Sequence, residues 1–261
     1  MAADDSRPQP LSPEAIPARA LAASDPGAGA DLAAQKQALR VELRARRKDC
    51  APPCGSPQAT QLGEQLAHTL DQAVDWSQVH TTALYAAVGH ELDTAPLGRR
   101  LRARGIRTCY PRVASKQPPR LDFVAVADED ALVAAPFGLR EPAADAKPVA
   151  AAEIDVFIVP GLGFDSHGHR LGQGRAFYDH TLHQHPTALR VGVCHSCQQL
   201  SAVPYEPHDE GMDLVVTPAG CLAPLTRARH RLQRAVESQW SGAPPALVES
   251  GTVRQPLEVK P

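Results

Sequence analysis

Apolar residues recur along the chain at two spacings, one typical of strands and one typical of helices. Short apolar runs predict strands at residues 81–88, 107–113, 121–126, 154–160, 188–194 and 213–218. Helical periodicity predicts helices at residues 31–48, 58–74, 95–104, 175–185 and 224–238. Strands that alternate with helices indicate an α/β fold, and the run at 154–160 is apolar throughout, as in a strand buried on both faces. The sequence therefore predicts a single three-layer sandwich with a mostly parallel sheet.

Both ends of the chain lack this periodicity. Residues 1–31 and 239–261 are rich in alanine and proline and contain few large apolar side chains. Such segments bury too little apolar surface to offset the entropy lost on ordering, so this composition is typical of disorder. We therefore expect one folded domain at residues 32–238 between two disordered tails.

Composition and charge exclude several classes of protein. The chain has 261 residues, of which 43% are hydrophobic, and its formal net charge is −2. It has no overall basic field that would attract nucleic acid, and no apolar run near the roughly 18 residues of a membrane span. The N-terminus lacks the charged start and apolar stretch of a secretory signal. We expect a cytoplasmic monomer with no nucleic-acid or membrane partner.

The cysteine pattern leaves one alternative open. The six cysteines are Cys50, Cys54, Cys109, Cys194, Cys197 and Cys221. Without an export signal, we expect thiols at the surface or in the core rather than a disulfide framework. The pairs in CAPPC and CHSC could supply zinc ligands, but they lie much further apart than the roughly 15–20 residues of a zinc ribbon. A metal-dependent or nucleic-acid-binding module that uses CHSC and the arginines at 227–234 remains a third hypothesis.

A glycine-rich segment, PGLGFDSHGHRLGQGRAFYD at residues 160–179, directly follows the apolar run at 154–160. Ligands of α/β folds bind beyond the carboxyl ends of the strands, so the segment lies where a site is expected. The glycines at 168, 172 and 174 can turn backbone N–H groups toward an anion, and Arg170 and Arg175 are suited to phosphate oxygens. The segment matches neither a Walker A loop nor the dinucleotide fingerprint. It predicts either a phosphate cradle or a long glycine turn, and Asp179, with no evident partner in the sequence, could hold a magnesium ion.

Charged residues cluster at three further places. The first follows the predicted strand at 81–88: Asp93 or Thr94 there can cap the helix at 95–104, which leaves Glu91 free for a ligand. Acidic residues precede the last predicted strand at Glu206, Asp209 and Asp213. Lys36, Arg40, Arg44 and Arg47 recur every three or four residues, so they share one face of the first helix, which is either part of a site or a solvated surface.

Six segments, taken in order, resemble the 5-formyltetrahydrofolate cyclo-ligase family, also called 5,10-methenyltetrahydrofolate synthetase. They are KQALR (36–40), HELDT (90–94), YPRV (110–113), FGLREP (137–142), VPGLGFDSHGHRLGQGRAFYD (159–179) and PHDEGMD (207–213). The resemblance implies a single α/β sandwich. It also implies ATP- and Mg²⁺-dependent closure of 5-formyltetrahydrofolate to 5,10-methenyltetrahydrofolate, with ADP and phosphate as the other products. Phosphorylation of the formyl oxygen, a poor leaving group, would let N10 close the ring.

The resemblance also assigns roles to individual residues. It implies that the nucleotide contacts are Lys36, Arg40, Arg170, Leu171, Gly172, Gln173, Gly174, Arg175, Ala176, Phe177 and Tyr178. Glu91, Phe177 and Tyr178 would contact the folate, and Arg175 and Tyr178 would be catalytic. Asp179 and Asp209 would lie on the magnesium side.

The glycine-rich segment departs from the family pattern at three adjacent positions. The family commonly reads RLGxGKGYYD, whereas this chain reads RLGQGRAFYD, with Arg175, Ala176 and Phe177 in place of Lys, Gly and Tyr. Arginine keeps the charge but not the geometry of lysine. Two hypotheses follow: an active cyclo-ligase, or a non-catalytic folate- or nucleotide-binding paralogue of the same fold.

Overall fold

The computed structural model describes residues 26–223. Within that range it contains four α-helices: α1 Pro26–Cys50, α2 Pro57–Ala73, α3 Ala95–Ala103 and α4 Phe177–His183. The strands are β1 Thr81–Ala83, β2 Arg107–Lys116, β3 Pro119–Ala125, β4 Val133–Ala134, β5 Arg140–Glu141, β6 Val156–Val159, β7 Gly163–Asp165, β8 Arg170–Leu171, β9 Leu189–Val193, β10 Gln199–Leu200, β11 Leu214–Thr217 and β12 Gly220–Ala223. The predicted helix at 224–238 and most of both predicted tails lie outside the described residues, so the domain boundaries stay predictions.

Seven strands form the central sheet in the order β12-β11-β9-β6-β1-β2-β3. The five inner strands are parallel to one another, whereas the two edge strands, β12 and β3, pair antiparallel. The α/β architecture with a mostly parallel sheet is therefore confirmed. Because the parallel strands share one direction, their carboxyl ends meet at one edge of the sheet, where the loops of a site can converge.

The core divides between the two faces of this sheet. Val156 and Ile158 of β6 pack in the cluster that contains α2 and α3, whereas Phe157 and Val159 pack in the cluster that contains α4. Successive side chains of a strand point to opposite faces, so a strand covered on both sides must be apolar at every position. All four residues of β6 are buried, as the sequence predicted.

Several element boundaries differ from the sequence prediction. The predicted strand at 81–88 ends at Ala83, and helix α1 begins at Pro26, before the expected start at Asp31. Helix α4 spans only Phe177–His183 of the predicted 175–185. The glycine-rich segment itself contains β7 and β8, which join β10 in a three-stranded sheet that was not predicted. Strands of two or three residues are too short to show a periodicity.

A disulfide joins Cys50 to Cys197, with 6.6 Å between their Cα atoms and 147 residues of sequence separation. It connects the C-terminal end of α1 to the short 3₁₀ helix that follows β9. The expectation that the cysteines remain thiols is therefore wrong for this pair, because a pairing across 147 residues cannot be recognised before the fold is known. The other four cysteines are free. Among the described residues, no helix is long and apolar enough to cross a membrane.

Candidate functional site

Helix α1 is the element that connects the loops of the site. Its cationic residues reach three parts of the surrounding chain: Lys36 contacts the segment before β11, Arg40 and Arg44 contact the glycine-rich segment, and Arg47 contacts Glu91. Their spacing of three or four residues puts them on one side of the helix. The predicted cationic stripe therefore faces the loops at the carboxyl ends of the strands and is not simply a solvated surface.

Lys36 lies between two carboxylates of the segment before β11. Its Nζ is 2.7 Å from Glu206 Oε2 and 2.5 Å from Asp209 Oδ2. The lysine is only 6% exposed. Its ammonium group donates to Glu206 and holds the pKa of that carboxyl below its usual value. Asp209 Oδ2 also accepts the backbone N–H of Glu206 at 2.8 Å, so the two acids and the lysine form one connected group.

Arg40 and Arg44 contact the tip of the glycine-rich segment. Arg40 Nε donates to the Gly172 carbonyl oxygen at 3.1 Å, and Arg44 Nη2 donates to Gln173 Oε1 at 3.0 Å. Gly174 has a φ of +91°, and a Cβ at this position would lie 3.2 Å from Arg40 Cζ. The tip is therefore held close to α1, and glycine at 174 allows that approach.

The beginning of the glycine-rich segment is organised by Asp165, a residue that the sequence did not single out. Its Oδ1 accepts the backbone N–H groups of His167 and His169, and its Oδ2 accepts the backbone N–H of Val203. Side-chain acceptors of this kind fix tight turns, and the Asp-Ser-His-Gly sequence was the available signal. The turn makes the segment a supported structure rather than an open loop.

Gly168 belongs to this turn and not to the tip. Its φ is +82°, and a Cβ there would lie 2.3 Å from the Met212 carbonyl oxygen. The Gly168 carbonyl oxygen in turn accepts the Met212 N–H at 2.7 Å. Gly168 therefore serves the close approach of two backbones, whereas the sequence favoured it as part of a phosphate cradle.

Asp179 has a partner, contrary to the sequence interpretation. Arg170 Nη2 donates to Asp179 Oδ1 at 2.8 Å, and the Glu210 backbone N–H lies 3.4 Å from the same oxygen. Arg170 is buried, so its charge needs this carboxylate. Glu210 follows Asp209 in the sequence, so this contact places Asp179 beside the stretch of chain that carries Asp209. The two acids that the family resemblance pairs therefore lie on adjacent stretches of chain.

The three residues that depart from the family pattern lie at the start of α4. Arg175 and Ala176 are exposed, and Phe177 is half-buried. Ala176 has a φ of +53° and is the one non-glycine residue with positive φ in the described part of the chain. This left-handed conformation costs a residue with a Cβ about 1–2 kcal/mol, which glycine avoids. The backbone thus keeps a glycine-like conformation at a position where the family commonly has glycine.

Glu91 lies on the other side of the site. The sequence predicted that it would be free for a ligand, but it has partners in the structure. Its Oε1 is 3.6 Å from Arg47 Nη1, and its Oε2 accepts the Val88 N–H at 3.2 Å. Burial raises the pKa of the Glu91 carboxyl, while Arg47 opposes that shift. Asp93 Oδ1 accepts the Ala95 N–H at 2.9 Å at the start of α3, whereas Thr94, the N-cap residue, makes no side-chain cap hydrogen bond.

Tyr178 connects the two sides. Its ring packs against the core under α4, and Arg170 Cζ lies 5.7 Å from the ring centroid. Burial raises the pKa of the Tyr178 phenol, and the nearby Glu91 carboxylate raises it further. The phenol therefore keeps its proton at neutral pH and can act as a hydrogen-bond donor rather than as a base. Leu171, by contrast, directs its side chain into the core and offers the site only its backbone.

The structure gives no support to the zinc hypothesis. Within residues 26–223, two groups bring three possible metal ligands close together: Asp165, His167 and His169, and Glu206, His208 and Asp209. Neither group contains a cysteine. The second group contains Asp209, one of the two predicted magnesium-side acids, together with Glu206, and carboxylate oxygens are ligands that Mg²⁺ prefers.

Comparison with known proteins identifies the family of this chain. Residues 32–218 match the 5-formyltetrahydrofolate cyclo-ligase family model. The 5-formyltetrahydrofolate cyclo-ligase of Escherichia coli K12 is 33% identical over 180 residues, which cover 68% of this chain and 97% of the relative. That of Mycolicibacterium smegmatis is 47% identical over 89 residues, which cover 33% of this chain and 46% of the relative.

A solved structure extends the agreement to the fold. The 5,10-methenyltetrahydrofolate synthetase of Aquifex aeolicus superposes with a TM-score of 0.60 at 26% identity, covering 71% of this chain and 91% of that one. A family match over most of the described chain and a relative matched over nearly its whole length lead to one conclusion. The chain belongs to the 5-formyltetrahydrofolate cyclo-ligase family of enzymes.

Proposed function

We propose that this protein closes 5-formyltetrahydrofolate to 5,10-methenyltetrahydrofolate, using ATP and Mg²⁺ and releasing ADP and phosphate. The observation that most supports the proposal is the arrangement around α1. One face of that helix contacts the acidic group at Glu206 and Asp209, the glycine-rich tip at Gly172, and Glu91. Phosphoryl transfer needs positioning and charge stabilisation more than covalent help from the protein, and this arrangement would supply both.

The residues on the nucleotide side fit a triphosphate. Arg40 uses Nε to contact the glycine-rich tip, and the described residues offer its Nη groups no hydrogen-bond acceptor. Guanidinium groups suit phosphate oxygens, so Arg40 and Arg175 at the rim would bind them. Lys36 would add a third positive charge from the same helix face as Arg40. The run from Arg170 to Tyr178 would supply backbone and side-chain contacts, as the family resemblance implies.

The residues on the metal side fit Mg²⁺. Asp179 and Asp209 lie on adjacent stretches of chain, and each is held by a cation, Arg170 and Lys36 respectively. Their carboxylates would hold the ion, which supplies charge neutralisation at the phosphates when bound. Each of the two acids therefore makes an ion pair with a cation of its own.

The residues on the folate side would orient the formyl group. Glu91 offers a partly buried carboxylate that can accept hydrogen bonds from the pterin ring. Burial and the nearby Glu91 charge both raise the pKa of the Tyr178 phenol, so Tyr178 keeps a proton that it can donate. Phe177 would add an apolar wall beside Tyr178. Together they would hold the formyl oxygen against the transferred phosphoryl group.

The conformation of Ala176 favours catalysis over the non-catalytic alternative. The residue adopts the left-handed backbone that glycine adopts easily, despite the cost of its Cβ. The backbone at 176 therefore has a conformation that glycine, the common family residue there, would adopt without this cost. Cytoplasmic location and the monomeric state stay predictions.

The test is an absorbance assay. Purified protein is mixed with 5-formyltetrahydrofolate, Mg²⁺ and ATP, and the long-wavelength absorbance of the methenyl product is followed. We expect a rise that requires both ATP and Mg²⁺. Asp179→Asn should abolish turnover; it is preferable to Asp179→Ala, because it keeps an acceptor for the buried Arg170. Near-full activity in Asp179→Asn would exclude its role on the metal side.

A flat trace from folded wild-type protein would favour the paralogue. The variant Arg175→Lys, Ala176→Gly, Phe177→Tyr then discriminates between the two hypotheses. Activity that appears only in this variant would identify those replacements as the cause of inactivity. No activity in either protein would show that the three replacements are not the cause of inactivity.

A further inference from the structure

Tyr205 is an unusual surface residue. Its side chain is 57% exposed, although large aromatic side chains usually bury most of their area. It lies between β10 and β11, directly before Glu206, whose carboxylate binds Lys36. The reaction steps above assign it no role.

The Tyr205 ring is not free to turn, because it stacks on His169. The two ring centroids are 4.0 Å apart and the ring planes differ by 9°. The His167 ring also lies near His169, with centroids 5.9 Å apart and planes 22° apart. One face of the tyrosine ring is thus in contact with His169, and more than half of the side chain remains exposed, which leaves the opposite face as the one a ligand ring could reach.

The support beneath this stack is rigid. His169 Nδ1 lies 2.9 Å from Asp165 Oδ2, and the Asp165 side chain is 1% exposed. The same oxygen accepts the Val203 N–H at 2.9 Å, two residues before Tyr205. One buried carboxylate therefore fixes both the histidine ring and the backbone that carries the tyrosine. A platform held in this way loses little side-chain entropy when a ring binds to it.

We propose that the open face of Tyr205 stacks against the purine base of the nucleotide. The inference rests on the proposed function, which puts the triphosphate beside Lys36, Arg40 and Asp209. Tyr205 is the residue before Glu206, whose carboxylate binds Lys36. Planar π-stacking on an aromatic side chain contributes about 1–3 kcal/mol per base, and it does not read the hydrogen-bonding edge of the base. Tyr205 would therefore increase affinity for nucleotides without selecting adenine strictly.

Calorimetric titration separates the base from the phosphates. ATP and inorganic tripolyphosphate, each with Mg²⁺, are titrated into wild type, Tyr205→Ala and Tyr205→Phe. We expect Tyr205→Ala to weaken ATP binding at least about fivefold and to leave tripolyphosphate binding unchanged. Tyr205→Phe keeps the ring and should bind both ligands as wild type does. Val133→Ala, at another exposed apolar residue, is the matched control and should change neither affinity.

Each other outcome has a definite meaning. If wild type binds ATP and Tyr205→Ala binds it equally well, the stacking inference is wrong and the proposed function stands. If Tyr205→Ala weakens the binding of ATP and of tripolyphosphate to the same extent, the side chain acts on the phosphate contacts rather than on the base. The inference is then also wrong. If wild type binds neither ligand, the proposed function fails first and the inference fails with it. In the absorbance assay, Tyr205→Ala should raise KM for ATP but not for the folate.

Discussion

The Cys50–Cys197 disulfide allows a quantitative prediction of stability. The bond can be removed by reduction or by the substitution Cys197→Ser, and neither change touches a residue assigned to substrate binding. Cys50 is the last residue of α1, and Cys197 lies in the 3₁₀ helix after β9. Loss of the bond should therefore release the C-terminal end of α1 from this 3₁₀ helix. The hydrogen bonds of Lys36, Arg40 and Arg44 should remain.

The expected magnitude follows from the length of the closed loop. The bond joins residues 147 positions apart, which restricts most of the described chain in the unfolded state. In the chain-entropy model, a loop of 147 residues corresponds to about 5 kcal/mol at 25 °C. Residual structure in the unfolded chain lowers the measured effect, and native disulfides typically contribute about 2–5 kcal/mol. We expect the free energy of unfolding to fall by an amount within that range.

Urea unfolding of oxidised and reduced protein measures this difference. With a slope of about 1–3 kcal/mol per M, the midpoint should fall by about 0.7 M or more on reduction. Cys197→Ser should behave like the reduced wild type and should not respond to reductant. Cys221→Ser, at an exposed free cysteine, is the control and should keep the full response.

Thiol counting shows whether the bond is present before the comparison is made. Alkylation in denaturant without reductant should modify the four free cysteines. Reduction should raise the number to the six cysteines of the sequence. A midpoint that moves by less than about 0.3 M, in protein shown to be oxidised, would refute the reasoning from loop length.

Three further predictions follow from the backbone and the acidic group. Gly168→Ala should destabilise the protein by about 1–3 kcal/mol more than Gly89→Ala in urea unfolding, because both have positive φ but only the Cβ at 168 meets backbone; equal losses would contradict this. Ala176→Gly should raise the free energy of unfolding by up to about 1 kcal/mol, since it relieves a left-handed Cβ; a loss of stability would count against the strain. Lys36 lowers the pKa of Glu206, so this pair stabilises the fold above pH 4.5, the ordinary value, and the contribution is lost as pH falls through the lowered value. Glu206→Gln should therefore lose less stability than wild type between pH 5 and pH 3 in the same measurement, and parallel curves would argue against the pair.

The sequence predicted the long elements and the positions of the loops. The apolar run at 154–160 became the buried strand β6, because a strand covered on both faces must be apolar at every position. The cationic spacing in α1 indicated one helix face, and that face contacts the site. These features depend on periodicity, which a sequence shows directly.

The contacts that the sequence did not reveal are those between distant segments. Asp179 lacked a visible partner because Arg170 reaches it only after β8 and α4 have folded against each other. The sheet of β7, β8 and β10 depends on pairs of two residues that carry no pattern of their own. The stack of Tyr205 on His169 likewise joins two loops that are far apart in sequence. Such contacts follow from tertiary packing, which local propensity does not encode.

Helix α1 has a consequence for how the two substrates affect each other. A helix is stiff along its length. This one contacts Gly172 of the glycine-rich segment, the proposed nucleotide side, through Arg40, and it contacts Glu91, the carboxylate proposed to bind the folate, through Arg47. A ligand that fixes the position of the helix at one contact would also fix it at the other, so the second ligand would meet a helix that is already in place. Thermodynamic reciprocity then requires that nucleotide raise folate affinity by the same factor as folate raises nucleotide affinity. The ternary complex should form more readily than the two binary affinities alone would indicate.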